Sequence, residues 1–246
     1  MMKILCSILL CVAGFTLPHA HQTNPSNEFF PFRPGTYWIY KGTVGWYDPA
    51  TDKPVAAEVT WKMSVQRVIR KQQVVAAVIS GFPADLDWTG GTTEPKPWLF
   101  VEDTEHRVYY ETLGPDYDLS KLNGDEHVFD KFMVDDNLFF QWPLHDGAKF
   151  CGDEDAKKRE DSMYCWVVAR SGKRTLDSVK GAAEEEQQVF RMEFRTLPDD
   201  TTIELVPGIG VVTYEYHHHG TVADTQLHLV EFHPAPESAS VQGPKP

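Results

Sequence analysis

The chain has 246 residues, 24% charged and 41% hydrophobic, an ordinary globular composition that excludes global disorder. Acids outnumber bases by 36 to 23, and a formal charge of −13 repels phosphate backbones, which argues against nucleic acid and anionic membranes as partners. The length suits one large β domain or two small ones.

Residues 1–20 begin with a positive Lys3, continue through an apolar run at 4–17 and end in the small residue Ala20, the layout of a secretory signal peptide. That run is shorter than the ~20 apolar residues of a membrane span, and no later stretch approaches it, so no transmembrane segment is predicted. Leu10 is too large to precede a lipoprotein cleavage cysteine at Cys11, which argues against lipid attachment. The expectation is an exported protein, periplasmic or extracellular. Residues 21–28 read as a flexible lead-in, 29–233 as a single β-rich domain, and 234–246, rich in proline, as a disordered tail.

Period-two patterns dominate the domain. Between residues 58 and 66, Val59, Trp61, Met63 and Val65 point one way, and Glu58, Thr60, Lys62, Ser64 and Gln66 the other. Phe190, Met192 and Phe194 alternate with Arg191, Glu193 and Arg195 in the same manner. Further strands are predicted at 36–44, 74–80, 98–101, 107–112, 138–142, 164–170, 211–218 and 226–232. Residues 74–79 are apolar on both faces, so that strand should be covered on both sides. Helical spacing of Val128, Phe129, Phe132 and Met133 predicts a short helix over 125–134, and the acidic stretch 175–188 a second. The predicted class is all-β: an antiparallel, strongly bent sheet, half-barrel or sandwich with one or two short helices.

Removal of the leader takes Cys6 and Cys11 with it and leaves Cys151 and Cys165. An even pair in an exported chain reads as one disulfide, closing a polar, charge-dense loop.

Two motifs bracket the domain. Phe30-Pro31-Phe32-Arg33-Pro34-Gly35-Thr36-Tyr37-Trp38-Ile39-Tyr40 opens it, and Pro207-Gly208-Ile209-Gly210-Val211-Val212 precedes the last hairpin. The pair resembles a loose set of exported bacterial β-rich proteins and lipoproteins, and the resemblance implies a fold context but no activity. By architecture alone the chain is also similar to periplasmic half-barrel lipid carriers. Gly208 and Gly210 suit a turn plus bulge before a strand.

Two sites of different chemistry are predicted. Seven tryptophans are available for an aromatic cleft, and Trp38, Tyr40, Trp46, Trp88 and Trp98 are its candidate lining, for an apolar or carbohydrate ligand. Trp61 and Trp166 read as core from their alternation. The alternative is a metal site. His217 and His219 lie on one face of a strand with Glu215, and a two-residue turn at His219-Gly220 would bring Asp224 and His228 to that face, with Glu215 opposite Asp224. Zinc or copper suits such ligands. An N-terminal His21, exposed by cleavage after Ala20, offers a second copper ligand set. Hydrolase, phosphate-loop and EF-hand motifs are absent, and the acid pairs Asp85/Asp87 and Asp135/Asp136 read as solvated loop residues. The function expected first is therefore a non-catalytic binding or envelope-associated module, without a cofactor, whose partner is a small ligand or an envelope protein. The metal-binding protein or metal-dependent enzyme comes second.

Overall fold

Alternating strands bury one face each and must curl to bury them together. In the computed structural model, which describes residues 29–236 apart from 49, 89–92, 114–121, 123–125 and 222, they do so as one twelve-stranded antiparallel sheet. The first half comprises β1 (Tyr37–Asp48), β2 (Lys53–Lys71), β3 (Val74–Ser80), β4 (Pro97–Asp103), β5 (Val108–Leu113) and β6 (Leu138–Gln141). The second comprises β7 (Lys149–Cys151), β8 (Cys165–Arg174), β9 (Gln187–Arg195), β10 (Asp199–Val206), β11 (Gly210–His218) and β12 (Asp224–His233).

Each strand pairs with its neighbour in sequence, with one exception. β6 and β7 approach each other without forming a ladder, while β1 pairs with β12 from Tyr37↔His233 to Gly45↔Asp224. The sheet is thus a nearly closed barrel whose hydrogen-bonded seam joins the first and last strands and whose gap lies mid-chain. Phe139 of β6 spans that gap, its ring 5.1 Å from that of Trp166 on β8. Bulges, one of them between Val65 and Arg67 on β2, bend the long strands around the barrel.

The interior is aromatic. Trp38 and Tyr40 of β1 and Met63 of β2 are fully buried, as are Val168 and Met192 on the opposite wall. Phe29, Phe30 and Phe32 enter ahead of β1, where the Phe30 and Phe32 rings stack at 5.4 Å and the Phe29 ring lies 4.8 Å from Phe140. Here the two bracketing motifs meet. Trp38 Nε1 donates to the Ile209 carbonyl at 2.7 Å, and Tyr40 Oη to that of Val211 at 2.8 Å. The Gly208 N–H donates to the Phe29 carbonyl at 2.9 Å. Gly210 sits at φ 95°, and a Cβ there would stand 2.7 Å from the Phe30 ring. The motifs are one packing unit, split by the length of the chain.

β3 is covered on both faces. Val75, Ala77 and Ile79 face the barrel interior, while Ala76 and Val78 join an outer cluster with Leu99, Val101, Leu122 and Phe129. Phe129 reaches it from a 3-10 turn, Glu126–Phe129, which stands where a helix over 125–134 was expected. The stretch 175–188 is also not helical; it runs as turns with one bridge, Lys180 to Glu231, before β9 begins. Its charge density favours helix only if one face finds a core, and just Leu176 and Val179 are buried. The one α-helix among the described residues is a single turn, Glu154–Lys157, capped by the Asp153 carboxylate, which accepts from Ala156 N at 2.6 Å. It lies in the polar loop closed by Cys151 and Cys165, which face each other across β7 and β8 and form a disulfide. No helix among the described residues is long and apolar enough to cross a membrane.

Candidate functional site

The gap between β6 and β7 opens into a cavity of about 500 Å³. Its floor is set by strand geometry. Trp98 and Glu111 point inward from neighbouring strands β4 and β5, Glu111 pairing across to Phe100. Tyr214 of β11 faces them with Ile203 and Thr201 of β10. Phe150, Trp166 and Phe194 form the far wall, the last two with rings 5.3 Å apart. Exposed Asp136, Asp153 and Tyr164 stand at the mouth. Tyr164 adopts φ 65°, a left-handed backbone held by its N–H to the Arg195 carbonyl at 2.7 Å, and non-glycine residues in that region often mark ligand sites.

The 3-10 turn Pro83–Leu86 supplies the acidic edge. Asp85 and Asp87, alike in sequence, separate in role. Both oxygens of buried Asp85 are engaged: Oδ2 accepts from Lys96 N at 2.8 Å, and Oδ1 from Trp98 Nε1 at 2.9 Å, which fixes the indole in the wall. Asp87 Oδ2 accepts from the Tyr214 hydroxyl. Glu111 Oε2 is sealed from solvent with no hydrogen-bond partner among the described residues; Asp87 Oδ1 is sealed as well, with the Thr225 hydroxyl beside it. Burial pushes Asp87 up to about 7, aided by the charges of Asp199 and Asp85 and opposed by the hydroxyls of Tyr214 and Thr225. Burial alone pushes Glu111 to about 7. The Tyr214 hydroxyl is held well above its ordinary value by burial and by Asp87.

Of the aromatic residues anticipated for a cleft, Trp98 lines this cavity. Trp38 and Tyr40 lie elsewhere, inside the core, with their polar atoms engaged. Trp46 is half-buried against the core from β1. Trp88 is 56% exposed and packs edge-on against His218 at 4.2 Å. Trp166, read as core, is a wall residue. Asp87 and Glu111 were not anticipated. The available signal for Glu111 was a charge on the same face as Tyr109, which is buried. Asp87 was hidden among the many acids of the chain.

The histidine hairpin has a different register from the one expected. Its connection spans 219–223, so His217 pairs with Asp224, Glu215 with Gln226 and Thr213 with His228. His228 therefore sits four residues from His217 along the strand, roughly 13 Å at strand rise. His219 Nε2 lies 2.9 Å from Asp200, and Glu215 pairs with Arg191 at 3.6 Å. Among the described residues no group of three or more His, Cys, Asp or Glu is placed to hold a metal ion. His21 lies outside the described residues.

No protein-family model and no curated protein matches the chain. Two solved structures resemble its fold. One, described as an exported protein with a YmcC-like fold from Bacteroides fragilis, aligns with a TM-score of 0.39 and 13% identity over 84% of this chain and 99% of that one. The other, described as a lipoprotein from Parabacteroides distasonis, aligns with a TM-score of 0.38 and 11% identity over 84% and 98%. Likenesses this distant carry no argument about ligand or activity.

Proposed function

We propose that this chain is an exported, non-catalytic binding or envelope-associated module that takes a small ligand of apolar or sugar-like body in the gap cavity. The observation that carries this reading is the cavity itself: about 500 Å³, within the usual range of ligand pockets, walled by aromatic rings from both halves of the sheet. The Trp98 indole is fixed by Asp85 rather than free to collapse inward, so the pocket is pre-formed, which lowers the ordering cost of binding. The leader pattern at 1–20 and the disulfide support export.

Intrinsic fluorescence tests the reading, because Trp98 and Trp166 both line the cavity. Titration with a neutral naphthylamine dye, octyl glucoside and cellobiose should give a saturable change with at least one of them. Trp98→Ala should weaken that binding about tenfold or more, the scale of one lost stacking contact. His217→Ala/His219→Ala should leave it unchanged. No response from any of the three sinks the proposal.

A further inference from the structure

The lining of the cavity has a one-sided polarity. Four carboxylates reach it, Asp87, Glu111, Asp136 and Asp153, and among the described residues no Lys, Arg or His does. Glu111 keeps an oxygen that is buried and without a hydrogen-bond partner among the described residues, and the buried Asp87 Oδ1 has only the Thr225 hydroxyl beside it. Buried acceptors without donors are costly, and native sites retain them where a ligand completes them. What is missing is a donor, and the surrounding ring faces favour one that carries positive charge.

We infer that the cavity recognises an organic cation: an N–H-bearing ammonium or amidinium group on an apolar body, its nitrogen between Asp87 and Glu111 and its body against Trp98, Trp166 and Phe194. This rests on the binding reading above and narrows its ligand class. A bare metal ion suits the site poorly, since the carboxylates are dispersed among aromatic walls. A quaternary ammonium lacks the N–H that these buried oxygens require.

The pH dependence has a defined sign. The groups acting on Asp87 are Tyr214, Thr225, Asp85 and Asp199; Tyr214 also feels the charge of Glu111, and the other titratable groups of the lining are Asp136, Asp153 and Tyr164 at the mouth. All are acids or hydroxyls, and among the described residues no base lines the cavity to offset protonation. Both carboxyls are pushed up to about 7. The cation therefore binds best above that pH and displaces protons as it enters.

The test uses the folded full chain and matched probes: benzamidinium against benzamide, and benzylammonium against benzyltrimethylammonium, by calorimetry and tryptophan fluorescence at pH 8 and pH 5.5. Benzamidinium should bind at 1:1 and about tenfold or more tighter than benzamide at pH 8, the worth of a charge-assisted bond, and lose most of that margin at pH 5.5. Benzylammonium should exceed its trimethylated analogue. Glu111→Gln and Asp87→Asn should each reduce the preference for the cation, read as the ratio of benzamidinium to benzamide affinity at pH 8. The probe pairs and the pH series need no variant, so the inference remains testable if either substitution impairs folding. If benzamide and benzamidinium bind equally, the cation inference falls and the cleft stands. If none of these four binds while the dye or a glycoside does, the cation inference falls and the cleft stands; if nothing in either set binds, both fall.

Discussion

Trp38 and Gly210 show how single residues tie the barrel together. The Trp38 indole crosses the interior to the Ile209 carbonyl, and Phe30 lies where a Gly210 side chain would be. Trp38→Phe removes the indole N–H with the pyrrole half of the ring, leaving that carbonyl unpaired beside a void, so urea denaturation should show a loss of about 2 kcal/mol or more. Gly210→Ala meets both a left-handed backbone and the Phe30 ring; the expected loss is about 2 kcal/mol or more, and Phe30→Leu should recover part of it in a double-mutant cycle. The buried carboxyls of Asp87 and Glu111 act in the opposite sense. Their values are raised from 3.8 and 4.5 to about 7, so the neutral forms favour the folded state. That stability is fully present below about pH 4 and is lost as pH rises through 7. The melting temperature of the ligand-free protein should therefore rise between pH 8 and pH 5.5, and Asp87→Asn or Glu111→Gln should flatten the rise. An unaltered slope in both variants would mean that these groups are solvated in solution.

At the scale of elements, legibility followed the origin of each signal. Strands whose two faces differ, such as residues 58–66 and 190–194, were plain in the sequence because alternation is a local property. β10 was not, since Asp199 to Thr202 are polar on both faces and only Ile203 onward is fully buried. The stretch 175–188 offered helical composition without a face to bury. The cavity was less legible still. Trp98 could be named from its loop context, but Glu111, Asp87 and Tyr214 meet from three separate elements, and no spacing along the chain encodes that meeting. The register of the histidine hairpin turned on the length of one connection, five residues instead of two. The disulfide, by contrast, followed from counting. Cys151→Ala/Cys165→Ala should cost ~3 kcal/mol by the loop-closure estimate for a separation of 14 residues, measured by chemical denaturation. Because β7 is only three residues long and borders the gap, the same variant should also bind cavity probes more weakly.

For the whole molecule, the path of the chain matters more than the strand count. The chain passes once around the barrel in sequence order, and the ladder between β1 and β12 is where it returns to its start. Ala235 N donates to Thr36 Oγ1 at 3.1 Å, so the two ends of the domain lie together. Truncation after residue 222 removes β12 and should leave a chain without fixed tertiary structure, checked by the loss of its near-ultraviolet dichroism. A circular permutant cut in the segment between β6 and β7, with its ends joined near 36 and 235, should keep the fold and the cavity.

That return to the start has a consequence for biogenesis. The strand that opens the domain has its closing partner almost two hundred residues away, and that partner is the last strand of the barrel to be synthesised. Contacts this distant form late, because the long loop must close before they can repay its entropy. A chain emerging from the ribosome can assemble hairpins but cannot seal its cylinder. It therefore stays threadable until the end of this domain has been made, the condition that a protein must meet to cross a membrane before it folds.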